Sequence, residues 1–115
     1  MIIRNEERSI KERVAMREGP GTVLVKDVCA KEELYEKGRL FSELILNQNC
    51  GVGYHMHENE EEIFIVKKGK AIYNDDGTEY PVQEGDVMIC KDGHCHAITN
   101  VEEEQCVVTA LILYK

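Results

Sequence analysis

The chain is 115 residues long, 43% hydrophobic and 31% charged, with 22 acidic against 14 basic side chains and a formal net charge of −8. That length holds one core and no second domain, and this much apolar content fills a packed interior rather than marking disorder. The acidic balance, with no Lys or Arg run longer than Lys67-Lys68, excludes nucleic acid and anionic membrane surfaces as partners, because both need basic patches.

From the N-terminus, MIIRNEERSIKERV is too charged for a signal peptide, and no apolar run in the chain reaches the ~18 residues of a membrane span, so the cytoplasm is the expected compartment. Residues 4–18 set Ile10 and Val14 four apart among charges, which fits either a short amphipathic helix or an arm laid across a neighbouring subunit. Gly19-Pro20-Gly21 interrupts it, and TVLVKDV predicts a first strand. KEELYEKG predicts a short helical turn closed by Gly38. In RLFSELIL, alternation puts Leu40, Ser42, Leu44 and Leu46 on the face expected to meet the core, with Phe41, Glu43 and Ile45 opposite. KAIYNDDGTEYPV predicts a hairpin turning at Asp76-Gly77, with Pro81 confining the returning strand to an edge. GDVMIC and the segment after Asp92-Gly93 predict two more strands, VEEEQ a solvated connection, and CVVTALILY a closing apolar strand. The five cysteines form no CxxC pair, and in a reducing compartment they are expected as buried free thiols.

The four histidines all fall in two segments, GVGYHMHENEEEIFIVKKG (Gly51 to Gly69) and GHCHAITN (Gly93 to Asn100). Pleating alone puts His55 and His57 on one face of a strand and turns Tyr54 and Met56 away. Glu62 heads EIFIV, where the same alternation aligns it with Phe64 and Val66 toward an apolar interior. A carboxylate buried there is costly without a cation or hydrogen bonds, so a partner is expected. Imidazoles and a carboxylate that converge are ligands for a borderline divalent metal. Glu58, Glu60 and Glu61 are expected in a solvated loop. Cys95 should face away from His96, and Asn100 should tie down the end of its strand.

These two segments resemble the two motifs of the cupin family. The first, HxH, then four residues, Glu, six residues and Gly, corresponds to His55, His57, Glu62 and Gly69; the second corresponds to Gly85, Gly93, His96 and Asn100. Asn49 stands where the first motif usually opens with glycine, and Lys91 where the second usually has proline. Gly51 and Gly53 are expected to supply the backbone freedom that the missing glycine would have given. The resemblance covers roughly residues 40–114. It implies an all-β fold, the cupin double-stranded β-helix or jelly-roll barrel, with one metal held by His55, His57, Glu62 and His96. Residues 1–38 would then be an N-terminal arm, a first strand and a short helical turn packing on a barrel at 39–115, within a single domain.

The set would suit manganese, iron or nickel, and zinc or copper could also occupy it, because ligand softness does not discriminate among them. A small carboxylate, a keto or hydroxy acid, or a sugar derivative can bind such an ion through oxygen. The reading is therefore a metal-dependent enzyme of dioxygenase, decarboxylase or isomerase type, and the alternative is a non-catalytic metal-containing binding or sensing module. An enzyme needs an acid or base beside the metal, and His94 is the candidate. Oxalate decarboxylation is an analogy, since Arg4, Arg8, Arg13 and Arg17 lie in the arm and Arg39 alone enters the barrel region. Strand edges and the arm predict a homodimer.

Overall fold

Runs of β-branched and aromatic residues, cut by glycine, aspartate and asparagine turns, form ten strands in the computed structural model, which describes residues 1–115. They are β1 (Ile10–Val14), β2 (Thr22–Asp27), β3 (Gly38–Leu46), β4 (Cys50–Met56), β5 (Glu60–Lys68), β6 (Lys70–Asp75), β7 (Thr78–Gln83), β8 (Val87–Cys90), β9 (Cys95–Asn100) and β10 (Cys106–Tyr114). Every pairing is antiparallel. Two sheets result, in strand orders β1-β2-β3-β10-β5-β8 and β4-β9-β6-β7. This is the jelly-roll barrel that the cupin resemblance implies.

The core lies between the sheets. Val23 and Val25 of β2, Leu44 and Leu46 of β3, Phe64 and Val66 of β5, and Val108 and Ala110 of β10 face Val52, Ala71, Tyr73 and Ile98 of the smaller sheet. Each fully buried Val, Leu, Ile or Phe side chain contributes about 1.5–3 kcal/mol. Leu44, Leu46 and Ser42 are buried as predicted for the inner face of β3, and Pro81 sits in β7, an edge strand. At the end of β9, Asn100 Nδ2 donates to the Leu46 and Glu104 carbonyls and its Oδ1 accepts from the Glu102 N–H.

The structure corrects four expectations. Of the two readings left open for residues 4–18, the helix is not formed: residues 10–14 are a strand, flanked by single 3₁₀ turns at Asn5–Glu7 and Met16–Glu18. All five residues of β1 are exposed, so the spacing of Ile10 and Val14 never reflected a buried stripe. The turn at Lys31–Leu34 is closed by Tyr35 and Glu36, both with positive φ, while Gly38 opens β3. A side chain at Gly38 would meet the Ile112 carbonyl at 2.4 Å. Of the cysteines, all free, Cys90 and Cys106 are buried but Cys29, Cys50 and Cys95 only half so. Asn49 takes the left-handed conformation itself, at φ 61°, which asparagine tolerates in place of glycine. Gly51 and Gly53 serve close approach instead: a Cβ on Gly53 would stand 2.0 Å from the Arg17 carbonyl.

Candidate metal centre

Two bulges aim the site. Between Val52 and His55 the register of β4 against β9 slips by one residue: Val52 pairs Ile98 and His55 pairs His96. An extra residue reverses the alternation. Val52 and His55 therefore both point inward although an odd number of positions separates them, while Tyr54 and Met56 face solvent. His96 comes from the neighbouring strand β9 and Glu62 from β5 in the facing sheet, so the four residues bridge the two sheets.

The side chains converge. His57 Nε2 lies 3.1 Å from His55 Nε2, 3.0 Å from His96 Nε2 and 3.1 Å from Glu62 Oε1, and His96 Nε2 lies 2.9 Å from Glu62 Oε1. All four ligand atoms fall within 4.8 Å of one another. Two donors bound at right angles about 2.1 Å from one cation stand about 3.0 Å apart, so the observed spacing fits a shared ion. His57 and His96 are 1% exposed and Glu62 5%.

The far side of each imidazole is held. His55 Nδ1 donates to the Gly53 carbonyl at 2.6 Å and His57 Nδ1 to Glu60 Oε2 at 2.6 Å; His96 Nδ1 pairs with Tyr73 Oη at 2.9 Å. A carbonyl and a carboxylate only accept, which puts a proton on Nδ1 of both rings; the Nε2 lone pair of His55 then faces the centre, and that of His57 does so when the ring is neutral, whereas a second proton on His57 Nε2 donates to Glu62 Oε1. Phe64 stacks on His96, with ring centroids 4.9 Å apart, and fixes that ring. Such outer contacts orient metal-binding histidines.

Burial presses the His55 pKa down to about 4, so this ring is neutral at pH 7. Burial also opposes charge on His57, but its bonds to Glu62 and Glu60 outweigh that and raise its pKa. For Glu62, burial is outweighed by hydrogen bonds from His57 and His96, and its pKa falls below the ordinary carboxylate value. The group thus calls for positive charge at its centre: a proton on His57 meets the need in part, a divalent cation in full.

Glu60 overturns the expectation of a solvated loop. Its side chain is 12% exposed, and besides accepting from His57 it takes two bonds from Arg39, at 2.8 Å from Nε and 2.7 Å from Nη2. Arg39 holds the Glu60 pKa down to about 2. Strand parity carried the clue, since 60, 62, 64 and 66 share a face.

A cavity of about 230 Å³ opens over the ligand group, and Arg13, Arg17 and Arg39 line its wall with Met16, Leu40 and Leu44. This corrects the expectation that the arm's arginines lie away from the site. Arg39 arrives through the second bulge: Leu40 pairs Ile112 and Gly38 pairs Leu113, so Arg39 is the extra residue of β3. Arg17 arrives in a turn where Ala15, Arg17 and Glu18 all have positive φ and which sits against Gly53. The structure sets His94 apart: its ring is 56% exposed, hydrogen-bonded through Nδ1 to Asp76, and outside this cavity. A larger depression of about 370 Å³ runs along Lys70–Ile72 and Pro81–Gln83 but has no converging ligand set, so chemistry rather than size picks out the site.

The sequence is 32% identical over 113 residues to the oxalate-binding protein of Thermotoga maritima, covering 98% of this chain and 93% of that one. A crystal structure described as a predicted oxalate decarboxylase from Thermotoga maritima superposes over 100% of both chains with a TM-score of 0.95 and 31% identity. A sugar phosphate isomerase of a cupin superfamily from Silicibacter pomeroyi shares the fold, with a TM-score of 0.72 at 17% identity over 93% of this chain and 73% of that one. The cupin domain family matches residues 43–112, a span that holds all four converging side chains. On that match, and on the full-length likeness to the Thermotoga protein, the chain belongs to the cupin family.

Proposed function

We propose that this cupin binds a small dicarboxylate at a divalent transition metal held by His55, His57, Glu62 and His96. One observation carries the reading: the cavity over the ligand group has three arginines on its wall. A divalent cation at its floor would supply positive charge and coordination positions for oxygen. Arg13 and Arg17 then offer planar donors for carboxylate oxygens, and Arg39, shared with Glu60, offers what that pair leaves free. At about 230 Å³ the cavity is smaller than the ~300–1,000 Å³ of sites for drug-sized molecules, which suits a ligand of a few heavy atoms. The backbone of Arg17 supports a binding role, because a non-glycine residue at φ 52° costs about 1–2 kcal/mol and such strain gathers at functional sites. The oxalate-binding relative matches through the arm as well as the barrel, and oxalate is the first ligand to test.

A second reading is turnover of the bound anion, favoured by the full-length likeness to a structure described as a predicted oxalate decarboxylase. The polar residues lining the cavity are the arginines and the metal group, with no separate acid or base among them, so binding is the leading reading.

The test is elemental analysis of protein purified without added metal or chelator, with His96→Ala beside it, followed by calorimetric titration with oxalate. Near one equivalent of a transition metal, lost in the variant, together with oxalate binding that needs the metal, is the expected result. Metal content unaffected by His96→Ala would sink the metal site; metal without oxalate binding would sink the ligand. Formate and carbon dioxide released from oxalate would move the conclusion to the second reading.

A further inference from the structure

We infer that the dicarboxylate is a four- or five-carbon acid rather than oxalate, its carboxylates held apart by a methylene stem that lies on an apolar strip of the cavity wall. The inference rests on the dicarboxylate reading above and narrows it. Six of the twelve residues lining the cavity are apolar, and their places in the sheet are ordered. Strand pairing sets Glu62 of β5 beside Ile112 of β10, and Ile112 beside Leu40 of β3; all three line the cavity. Two strand spacings are about 9.6 Å. A strip of about that width therefore runs from the ligand group toward the side of the sheet where β2 and β1 lie. Leu44 extends it along β3, and Met16 lines the cavity from the turn that carries Arg17.

The charged groups stand at the two ends of this strip. His55, His57 and Glu62 hold one end, and the arm brings Arg13 and Arg17 to the other, with Arg13 on the same face of β1 and β2 as its buried partner Val23. Arg39 is taken up by Glu60, whereas Arg13 and Arg17 form no ion pair although the chain has 22 acidic side chains. Oxalate has no methylene, and its carboxylate carbons are one bond, about 1.5 Å, apart. Extended four- and five-carbon diacids set them about 3.8 and 5.0 Å apart. Oxalate held at the ligand group would leave Leu40 and Met16, both only half-buried, in contact with water. A longer acid covers them and carries its second carboxylate toward the free guanidinium groups. Each methylene so covered favours binding about fourfold. Volume permits it, since about 230 Å³ is the space of about eight waters at ~30 Å³ each.

The test is calorimetric titration of the Mn²⁺-loaded protein with oxalate, malonate, succinate and glutarate, with the same acids titrated against Mn²⁺ in buffer as the reference. The ion has its own preference among them, so the readout is the affinity on the protein divided by that for the free ion. On this scale succinate and glutarate should gain at least about tenfold over oxalate. Leu40→Asn, close in size to leucine but polar, should shrink that gain at least about threefold. If that variant does not fold, Met16→Gln makes the same measurement from the arm. Oxalate binding with no gain for the longer acids would overturn the inference and leave the dicarboxylate reading standing, whereas a protein that binds none of the four would overturn both. A gain that persists undiminished in the variant would overturn the place given to the apolar strip.

Discussion

Glu60→Gln should weaken metal binding about 10- to 100-fold, or about 1.4–2.7 kcal/mol. The carboxylate accepts three hydrogen bonds, one from His57 Nδ1 at 2.6 Å and two from Arg39 at 2.8 and 2.7 Å. A glutamine has one accepting oxygen. If that oxygen keeps His57, the amide nitrogen sets its hydrogens against those of Arg39; if it turns to Arg39, the His57 N–H loses its acceptor in a buried site. In either rotamer the anionic acceptor that makes His57 a stronger ligand is gone. The assay is competition for Zn²⁺ or Mn²⁺ against a chromophoric chelator near pH 7. Glu58→Gln serves as control, removing the same formal charge from an exposed position where screening over about 8 Å leaves little long-range effect. Affinity within about twofold of the native protein, or an equal loss in the control, would refute the role of Glu60 in orienting and strengthening His57.

Tyr73→Phe removes the oxygen 2.9 Å from His96 Nδ1 without changing the ring packed in the core, and should lower metal affinity by less than about tenfold in the same titration; no change would mean that the hydroxyl does not orient His96. Arg17→Gly should weaken dicarboxylate binding about tenfold or more by calorimetry while Zn²⁺ affinity stays within about twofold. The same change should hold or slightly raise the melting temperature, because relief of about 1–2 kcal/mol at φ 52° exceeds the ~0.4–1 kcal/mol that glycine adds to chain entropy; a marked fall would contradict the strain. Glu43→Gln should flatten the acid limb of stability. The bond from Lys67, helped by Arg8 and opposed by burial, lowers the folded pKa of Glu43, so the unfolded chain binds more protons in acid. The stabilisation is present above the unfolded value and is lost as pH falls through the folded one. Urea midpoints should therefore drop more steeply below about pH 5 for the native protein than for the variant, and parallel curves would show that Glu43 contributes nothing.

The converging ligand group was legible because its members sit on strands, or in the case of His57 one residue past the end of β4, where parity is still local. His55 and His57, Glu62 and Phe64, and His96 and Ile98 each align within a few residues. Glu60 is legible by the same parity, but the three further glutamates around it resemble a solvated run and mask it. Arg39 was not legible: parity pairs it with Phe41 outward, and a bulge decided by the partner strand β10 sends it to the cavity instead. His94 fails for the converse reason. Parity with His96 holds only within a strand, and His94 belongs to the turn that precedes β9, where Asp76 takes its ring. In the arm, two apolar residues four apart matched a helix, yet β2 offered an edge that needed pairing and the segment became β1. Nothing local to Arg13 or Arg17 reveals the cavity, since their approach depends on β1 pairing with β2 and on the missing side chain of Gly53.

The division of labour along the chain follows from where these groups lie. Every residue of the metal group falls within residues 43–112, the span matched by the cupin domain, whereas Arg13, Arg17 and Arg39 all precede it. A metal group built on paired strands of two packed sheets tolerates little change, because a one-residue slip would turn a ligand outward. A wall built from an edge strand, a turn and a bulge can change its side chains without moving the strands that carry the ligand group. Fold likeness alone therefore does not carry a substrate across. If charge on the wall selects the anion, as proposed, replacing Arg13 and Arg17 together by glutamine should leave metal content near one equivalent and abolish dicarboxylate binding. If the anion still binds as tightly to that variant, the metal alone selects it and the arm has no part in recognition.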